Sequence, residues 1–313
     1  MTNHDKNTAA QISRLDKATR LNRLAEIGRT HGYFRRISAQ HSALFVEEGD
    51  TLLVSFDAID RVINHGAGGL PMGFHAVKED QVSLLSILAK RQSWFRDGAL
   101  FDYVDALVDD GFFDQFEQVL FLGIGPMCGY GALSFSVAAP SARVLAISPA
   151  ATLDRDAAPF ERRYRGAWRL NFTDRYGYAP DMVEAAAQAT IIYDPSDPMS
   201  ASHAALFDGA NTTRLKLRFG GMSIGAMLEA SGGLWTLLER AWTGPITPAA
   251  FARVARPARR SFPPYLGRLI SQADQTGHPR LARAAAEYGQ KLGDDPRFKQ
   301  AAGMLRSLAG GLS

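Results

Sequence analysis

The residues best suited to chemistry lie in segment 118–133, where an apolar run leads into a glycine-rich turn and then into small residues. Gly123, Gly125 and Cys128 have the spacing Gly-x-Gly-x-x-Cys. This spacing approximates the fingerprint in which N–H groups at a helix start face a dinucleotide phosphate or the polar end of S-adenosylmethionine. Cys128 replaces the third glycine, and Ser148 stands where a carboxylate would bind ribose. A nucleotide or S-adenosylmethionine site at this turn is therefore one hypothesis.

The segment 155–178 is a second candidate site, because basic and aromatic residues alternate along it. They are Arg155, Phe160, Arg162, Arg163, Tyr164, Arg165, Trp168, Arg169, Phe172, Arg175, Tyr176 and Tyr178. Guanidinium groups pair well with phosphate, sulfate or carboxylate, and aromatic rings can stack on sugars. We predict a small anionic or carbohydrate ligand bound by Arg162, Arg163 and Arg165. The alternative is a lid-like helix with its aromatic side chains on the core and its arginines in solvent.

The composition is that of a globular protein, with 46% hydrophobic and 21% charged residues in a chain of 313. The formal charge of +3 results from 35 basic and 32 acidic residues, a balance too even to indicate nucleic-acid binding. Cys128 is the single cysteine, which excludes an intrachain disulfide, and no two of the seven histidines have metal-ligand spacing on one helix face. We expect neither a metal nor a cofactor.

The N-terminal residues 1–6 are polar, and no apolar run of signal-peptide length follows them. No stretch of the sequence reaches the roughly 18 apolar residues of a membrane span. We therefore expect a cytoplasmic protein without a membrane span.

The elements that must position these residues alternate along the chain. Spacing of apolar residues predicts a first helix that Ser13 caps and Gly32 ends. The apolar runs 43–46 and 51–56 flank an acidic turn, which predicts a β-hairpin. Residues 82–88 form another short apolar run. Further strands are predicted at 119–122, 144–147, 190–193 and 214–219, with helices at about 100–109, 129–138, 200–207 and 228–238. Strands separated by helices predict an α/β fold with a mostly parallel sheet flanked by helices.

After residue 244 the sequence becomes rich in alanine, arginine and lysine, and Pro257 and Pro263-Pro264 punctuate three more predicted helices. We predict three parts, which are an N-terminal helical lead-in (1–42), an α/β domain (43–244) and a C-terminal helical segment (245–313). The apolar stripes of the last helices must pack on something. The proline boundary favours a protein partner for residues 262–313, and a cover for the sheet domain is the alternative.

The strand, turn and helix at 118–133 resemble the nucleophile elbow of the α/β-hydrolase superfamily, which often reads Gly-x-Ser-x-Gly-Gly-Tyr. Residues 129–132, Gly-Tyr-Gly-Ala, match the end of that motif. The next strand ends in Ser148-Pro149 and is similar to that of a bacterial group of hydrolase-like proteins, some associated with surface-polysaccharide genes. The resemblance implies an α/β-hydrolase-like fold.

The resemblance also assigns catalytic positions. Aligned from the end of the motif, the nucleophile position falls on Pro126, and aligned from its first glycine it falls on Gly125. Neither residue carries a nucleophile. A displaced register would place Cys128 at the tip of the turn. By the same resemblance, the catalytic acid lies at the end of the strand 190–193, so Asp194 or Asp197 would orient the histidine.

The catalytic histidine of such proteins is expected just after the last strand of the sheet. That position holds residues 220–223, Gly-Gly-Met-Ser, which include no histidine. His203 lies early in a predicted helix and is the remaining candidate for a base. Two of the three triad positions are therefore lost, and the expected mechanism lacks both its attacking group and its base.

We therefore predict an α/β-hydrolase-like protein that lacks Ser-His-Asp hydrolase activity and has a ligand-binding or scaffold role linked to surface polysaccharide. One alternative is a nucleotide- or S-adenosylmethionine-binding enzyme, and a second is an esterase or acyl hydrolase that uses Cys128. The candidate catalytic residues are Cys128, Asp194 and His203. The candidate ligand-binding residues are Gly123, Gly125, Pro126, Met127, Arg162, Arg163 and Arg165.

Overall fold

The computed structural model describes residues 17–65, 70–293, 296 and 298–303. The helices are α1 (Lys17–His31), α2 (Ile59–His65), α3 (Phe74–Asp80), α4 (Gly98–Asp109), α5 (Pro126–Phe135), α6 (Ala179–Met182), α7 (Pro198–Ala205), α8 (Ile224–Ala230), α9 (Gly233–Thr243), α10 (Pro248–Ser261), α11 (Pro263–Gln275) and α12 (Pro279–Leu292). The strands are β1 (Gly32–Arg36), β2 (His41–Val46), β3 (Thr51–Ala58), β4 (Ser83–Ala89), β5 (Gln118–Ile124), β6 (Arg143–Ile147), β7 (Gln188–Tyr193) and β8 (Thr212–Lys216). Ser13, the predicted cap of the first helix, lies outside the described residues.

The strands form one sheet in the order β1-β2-β4-β3-β5-β6-β7-β8. The pairs from β4 through β8 are all parallel, and β2 is antiparallel to both of its neighbours. Of these eight strands, β2 alone therefore runs against the others. Parallel neighbours need crossover connections, which the helices provide. The predicted α/β fold with a mostly parallel sheet flanked by helices is confirmed.

The predicted hairpin of residues 43–46 and 51–56 is wrong. Both segments are strands, but β4 lies between them in the sheet, antiparallel to β2 and parallel to β3. The lead-in 1–42 is also not entirely helical, because α1 ends at His31 and the edge strand β1 begins at Gly32. Local pattern indicated strands correctly but did not determine their partners, since pairing depends on residues far along the chain.

The core consists of two hydrophobic clusters, one on each face of the sheet. Leu120 and Leu122 of β5 belong to one cluster, and Phe121 between them belongs to the other. This assignment follows from the alternation of side chains along a strand. Both faces of β5 are thus buried over residues 120–123, and Ile124 at its carboxyl end is partly exposed where the turn begins.

The C-terminal helices α10 to α12 pack on the sheet domain. Leu266 and Ile270 of α11 are buried in the same hydrophobic cluster as Leu120 of β5. Arg268 of the same helix donates hydrogen bonds to the carbonyl oxygens of Phe219 and Gly220. Pro257, predicted to separate helices, lies inside α10. The division at residue 245 remains a prediction.

Within the part of the chain that the structure describes, no helix combines the length and the apolarity that a membrane crossing needs.

Candidate functional site

The turn after β5 places Gly125 at the tip of the elbow. β5 ends at Ile124, and α5 begins at Pro126. Gly125 has φ 91° and ψ 170°, a backbone region that residues with a side chain almost never adopt. Its N–H donates to the carbonyl of Ile147 (2.8 Å). A Cβ built on Gly125 would have no heavy atom within 4 Å outside its own neighbours.

The tip therefore points into open space and carries no side chain that could attack a substrate. In hydrolases of this fold, the N–H of the residue after the nucleophile forms part of the oxyanion hole. That residue is Pro126 in this chain, and proline has no N–H. Two components of acyl-transfer chemistry, the nucleophile and one oxyanion donor, are absent from the tip.

Asp194, the candidate acid, follows β7 and is buried with 3% of its surface exposed. Its carboxylate accepts hydrogen bonds from the backbone N–H groups of Ser196 (2.8 Å), Phe219 (3.1 Å) and Gly221 (2.8 Å). Arg268 also contacts this loop, because its guanidinium group donates hydrogen bonds to the carbonyl oxygens of Phe219 and Gly220. Asp194 therefore fixes the loop after β8 instead of orienting a histidine.

His203, the candidate base, forms a buried pair with Glu161. Its Nε2 lies 3.0 Å from the Glu161 carboxylate, and its Nδ1 lies 3.2 Å from the backbone nitrogen of Ala151. Because the amide of Ala151 must donate, Nδ1 accepts and the proton on Nε2 is donated to Glu161. Both side chains are 1% exposed. Both ring nitrogens of His203 are thus engaged within the protein.

Glu161 was not singled out in the sequence. Burial raises the pKa of this carboxyl, but hydrogen bonds from His203 and Arg163 outweigh that effect and lower its pKa from 4.5 to about 2. Arg163 donates to Glu161 at 2.6 Å and also faces Asp197 at 3.5 Å. In the sequence, only the neighbouring Arg163 indicated that Glu161 could form an ion pair. His203 lies 42 residues further along the chain, so no sequence pattern indicated its contact with Glu161.

Cys128 lies in the first turns of α5 with 6% of its surface exposed. Burial is the main cause that raises the pKa of its thiol from 9.0 to about 12, and the carboxylate of Asp57 adds to the effect. The thiol is therefore protonated at neutral pH, which is the unreactive form. Cys128, Asp194 and His203 each belong to a different set of contacts, and no described hydrogen bond joins any two of them.

The segment 155–178 contains no lid helix, and its regular structure is one 3-10 turn at residues 165–167. Arg163 is engaged with carboxylates, as described above. Arg155 and Arg165 lie over the ring of Trp168, with guanidinium carbons 4.9 and 5.7 Å from its centroid. The side chain of Arg162 is exposed. The structure thus leaves Arg162 and Arg165 facing solvent and places Arg163 in a structural pair.

A buried hydroxyl near the elbow has no partner among the described residues. Ser148 directly follows β6, with φ 53° and 7% of its surface exposed, and its Oγ makes no described hydrogen bond. Positive φ is uncommon for a residue other than glycine. The sequence signal for Ser148 was its place at a strand end, where a parallel sheet presents its ligand-binding residues.

Two cavities lie away from the elbow. The smaller, of about 250 Å³, is lined by Leu53, His75, Ala76, Trp235, Leu238, Glu239 and Trp242. The larger, of about 680 Å³, is lined by Arg256, Arg259, Arg260, Tyr265, Leu266, Leu269, Ala285 and Tyr288. No group of three or more potential metal ligands occurs among the residues that the structure describes.

No family model matches the sequence, and no curated protein matches it. Among solved structures, the chain is similar to the capsule O-acetyltransferase of Neisseria meningitidis serogroup A, with 12% identity and a TM-score of 0.43 over 64% of this chain and 92% of that chain. It is also similar to Est1E from Butyrivibrio proteoclasticus (14% identity, TM-score 0.40, 66% and 98% covered) and to the esterase domain of a Rhodothermus marinus protein (12%, 0.38, 62% and 91%).

The strand order of this chain, and the turn between β5 and α5, define its fold. The chain therefore has an α/β-hydrolase-like fold, with Gly125 at the tip of the elbow between β5 and α5.

Proposed function

We propose that this protein is a ligand-binding or scaffold protein with an α/β-hydrolase fold, and that it does not hydrolyse esters by the Ser-His-Asp mechanism. The observation that carries the proposal is Gly125 at the tip of the elbow, with φ 91° and open space where a side chain would lie. A covalent mechanism needs an attacking group at this point.

Three further features support the proposal. Pro126 cannot donate to an oxyanion, and the loop after β8 holds no histidine. Asp194 instead accepts hydrogen bonds from Phe219 and Gly221 of that loop. The carboxylate at the position of the acid thus anchors this loop, and none of its described hydrogen-bond partners is a histidine.

The two alternatives meet specific obstacles. A cysteine hydrolase needs a thiolate, but burial raises the pKa of Cys128 to about 12. A phosphate at the start of α5 needs free N–H groups. The N–H of Gly125 is already bonded to the Ile147 carbonyl, and Pro126 has none. The turn therefore offers a phosphate neither of these two backbone positions.

A link to surface polysaccharide is the finer part of the proposal. Arg162 and Arg165 belong to the segment predicted to bind an anionic sugar, and neither is paired with a carboxylate in the described part of the chain. Their guanidinium groups are available to sulfate, phosphate or carboxylate groups on a carbohydrate.

Hydrolysis of p-nitrophenyl acetate and butyrate tests the proposal. We expect the purified full-length protein to release p-nitrophenol no faster than the Cys128→Ala variant or buffer. The variant Gly125→Ser should also be inactive, because the new hydroxyl would lack a histidine base and the N–H that Pro126 cannot supply.

Each positive result would have a defined meaning. Turnover that Cys128→Ala abolishes would establish the cysteine hydrolase in place of our proposal. Turnover that survives both Cys128→Ala and His203→Ala would show that a different group attacks the ester, and the elbow would not be the site.

A further inference from the structure

The larger cavity is a groove between the C-terminal helices α10, α11 and α12. None of the residues that line it belongs to the elbow. Arg256, Arg259 and Arg260 of α10 form one wall. Tyr265, Leu266 and Leu269 of α11, with Ala285 and Tyr288 of α12, supply the remaining lining. The groove thus combines an apolar floor with a wall of three guanidinium groups.

The charge of the protein is concentrated around this groove. Residues 248–292 contain eight basic side chains and two acidic ones, whereas the whole chain has a net charge of only +3. The rest of the chain is therefore slightly acidic. Arg256 and Arg260 have no described ion-pair or hydrogen-bond partner, and Arg259 donates only to the carbonyl of Ala255 at 3.4 Å. These cations are available to an external anion.

The outer face of α12 continues the groove as an apolar stripe. Leu281, Ala285, Tyr288 and Leu292 are spaced four, three and four residues apart, which places them on one helix face. Leu281, Tyr288 and Leu292 are 62%, 39% and 41% exposed. With a rise of 1.5 Å per residue the stripe is about 16 Å long. An elongated occupant such as a helix fits this length better than a small molecule does.

We propose that this groove binds an acidic amphipathic helix of a partner protein. The apolar face of such a helix would pack on Leu269, Tyr288 and the stripe of α12. Its carboxylates would pair with Arg256 and Arg260. Grooves between helices recognise amphipathic helices in this manner, through apolar side chains spaced three and four residues apart. The inference rests on the scaffold role in the proposed function and gives that role a partner class.

Other occupants match the groove less well. In residues 304–313 of this chain the single charged residue is Arg306, so that segment has no carboxylate for the arginine wall. A second copy could offer the acidic helix α4, but Asp102 and Asp105 of α4 are already paired with Arg175. A membrane surface is flat on this scale, and a groove would leave part of its apolar floor uncovered.

A display library of helical peptides of about 16 residues tests the proposal on the immobilised full-length protein. Every peptide carries leucine on one face, and its opposite face is either acidic or basic. We expect selection to enrich the acidic half. The best-enriched peptide is then synthesised, and its affinity is measured by fluorescence anisotropy.

Variants of the groove locate the binding. Arg256→Glu with Arg260→Glu, and separately Tyr288→Ala, should each weaken the peptide about tenfold or more. All three side chains are exposed, so these variants should fold normally by circular dichroism. Arg253→Glu is the matched control, because Arg253 is an exposed arginine of α10 that does not line the groove. It should weaken binding by less than about twofold.

Four results would overturn the proposal. Equal enrichment of acidic and basic peptides would show that charge complementarity does not select the partner. A loss of affinity in Arg253→Glu equal to that in the groove variants would show that only the net charge of the protein matters. Self-association in sedimentation that Arg256→Glu abolishes would identify a second copy as the occupant. Binding to phosphatidylserine vesicles with no selected peptide would identify a membrane. The ester hydrolysis assay is independent, so failure of either proposal can be recognised separately.

Discussion

At the scale of single residues, Glu161 and His203 form an ionisable contact in which both side chains are buried, with Nε2 of His203 3.0 Å from the carboxylate. Glu161 also forms a salt bridge with Arg163, whose guanidinium lies 2.6 Å from the carboxylate and whose side chain is one third exposed. Removing one member of a buried charged pair costs more than the pair contributes, because the partner is left uncompensated. The contact joins the segment after β6 to α7, so it stabilises the loops around the elbow.

We predict that Glu161→Gln destabilises the protein by about 2 to 3 kcal/mol at pH 7. The pKa of Glu161 is lowered in the folded state to about 2. A lowered folded-state pKa stabilises the protein above the usual pKa of 4.5, and this stabilisation is lost as the pH falls towards 2. The difference in unfolding free energy between wild type and Glu161→Gln should therefore shrink as the pH falls from 4.5 to about 2.

Urea unfolding at a series of pH values measures this difference. Glu184→Gln is the matched control, because Glu184 is exposed and has no described hydrogen bond or ion pair. Its effect should stay within about 0.5 kcal/mol at every pH. A Glu161→Gln difference that does not change with pH would contradict the predicted role of the ionised carboxylate.

At the scale of elements, the junction of β5 and α5 depends on close backbone approach. A Cβ on Gly123 would overlap the backbone of Cys128 and the Cα of Gly129. The helix therefore folds back directly over the end of its own strand, which gives the sharp elbow. The motif Gly123-x-Gly125 is explained by this packing and by the positive φ of Gly125, without reference to a bound phosphate.

We predict that Gly123→Ala lowers the free energy of unfolding by about 3 kcal/mol, since backbone atoms cannot move aside as a flexible side chain can. Chemical denaturation followed by circular dichroism measures the loss. Gly98→Ala is the control, because a Cβ there meets no atom within 4 Å, and it should leave the stability nearly unchanged. Equal stability of the two variants would mean that the elbow is looser than the structure indicates.

At the scale of the whole molecule, the C-terminal helices and the sheet share one hydrophobic cluster. Leu266 and Phe251 belong to it together with Leu145 of β6. The structure thus favours the alternative in which these helices cover the sheet domain, while the outer face of α12 remains exposed. The boundary at residue 245 is expected to separate regions of different composition and not independently folding units.

We predict that Leu266→Ala lowers the unfolding midpoint of the entire chain, at a cost of about 3 kcal/mol for a buried leucine. All four tryptophans, Trp94, Trp168, Trp235 and Trp242, lie before residue 245. Tryptophan fluorescence therefore reports the part of the chain before residue 245, where Trp235 and Trp242 pack on the shared cluster. If the core is shared, the unfolding transition seen by tryptophan fluorescence must shift when a residue of α11 is substituted.

Leu281→Ala provides the comparison for this experiment, because Leu281 of α12 is 62% exposed. Its transition should coincide with that of the wild type. If Leu266→Ala also left the tryptophan transition in place while helical signal was lost at lower denaturant, the C-terminal helices would be an independent domain.

The sequence by itself determined the types of most elements, the α/β class and the residues at the turn, Gly125 and Pro126, neither of which has a nucleophilic side chain. These depend on residues close together in the chain, such as the alternation of Leu120, Phe121 and Leu122 or the succession of Gly125 and Pro126. The glycine-rich turn was therefore located correctly within an α/β-hydrolase-like sheet.

Only the tertiary structure decided the strand order and the partners of the buried charges. β4 enters the sheet between β2 and β3, Glu161 meets His203, and Asp194 meets Gly221. Each of these contacts joins residues that are distant in sequence, and the free energy of pairing them depends on burial and geometry that exist only after the chain has folded. Local patterns carry no record of that environment, so the same residues remained open to several roles.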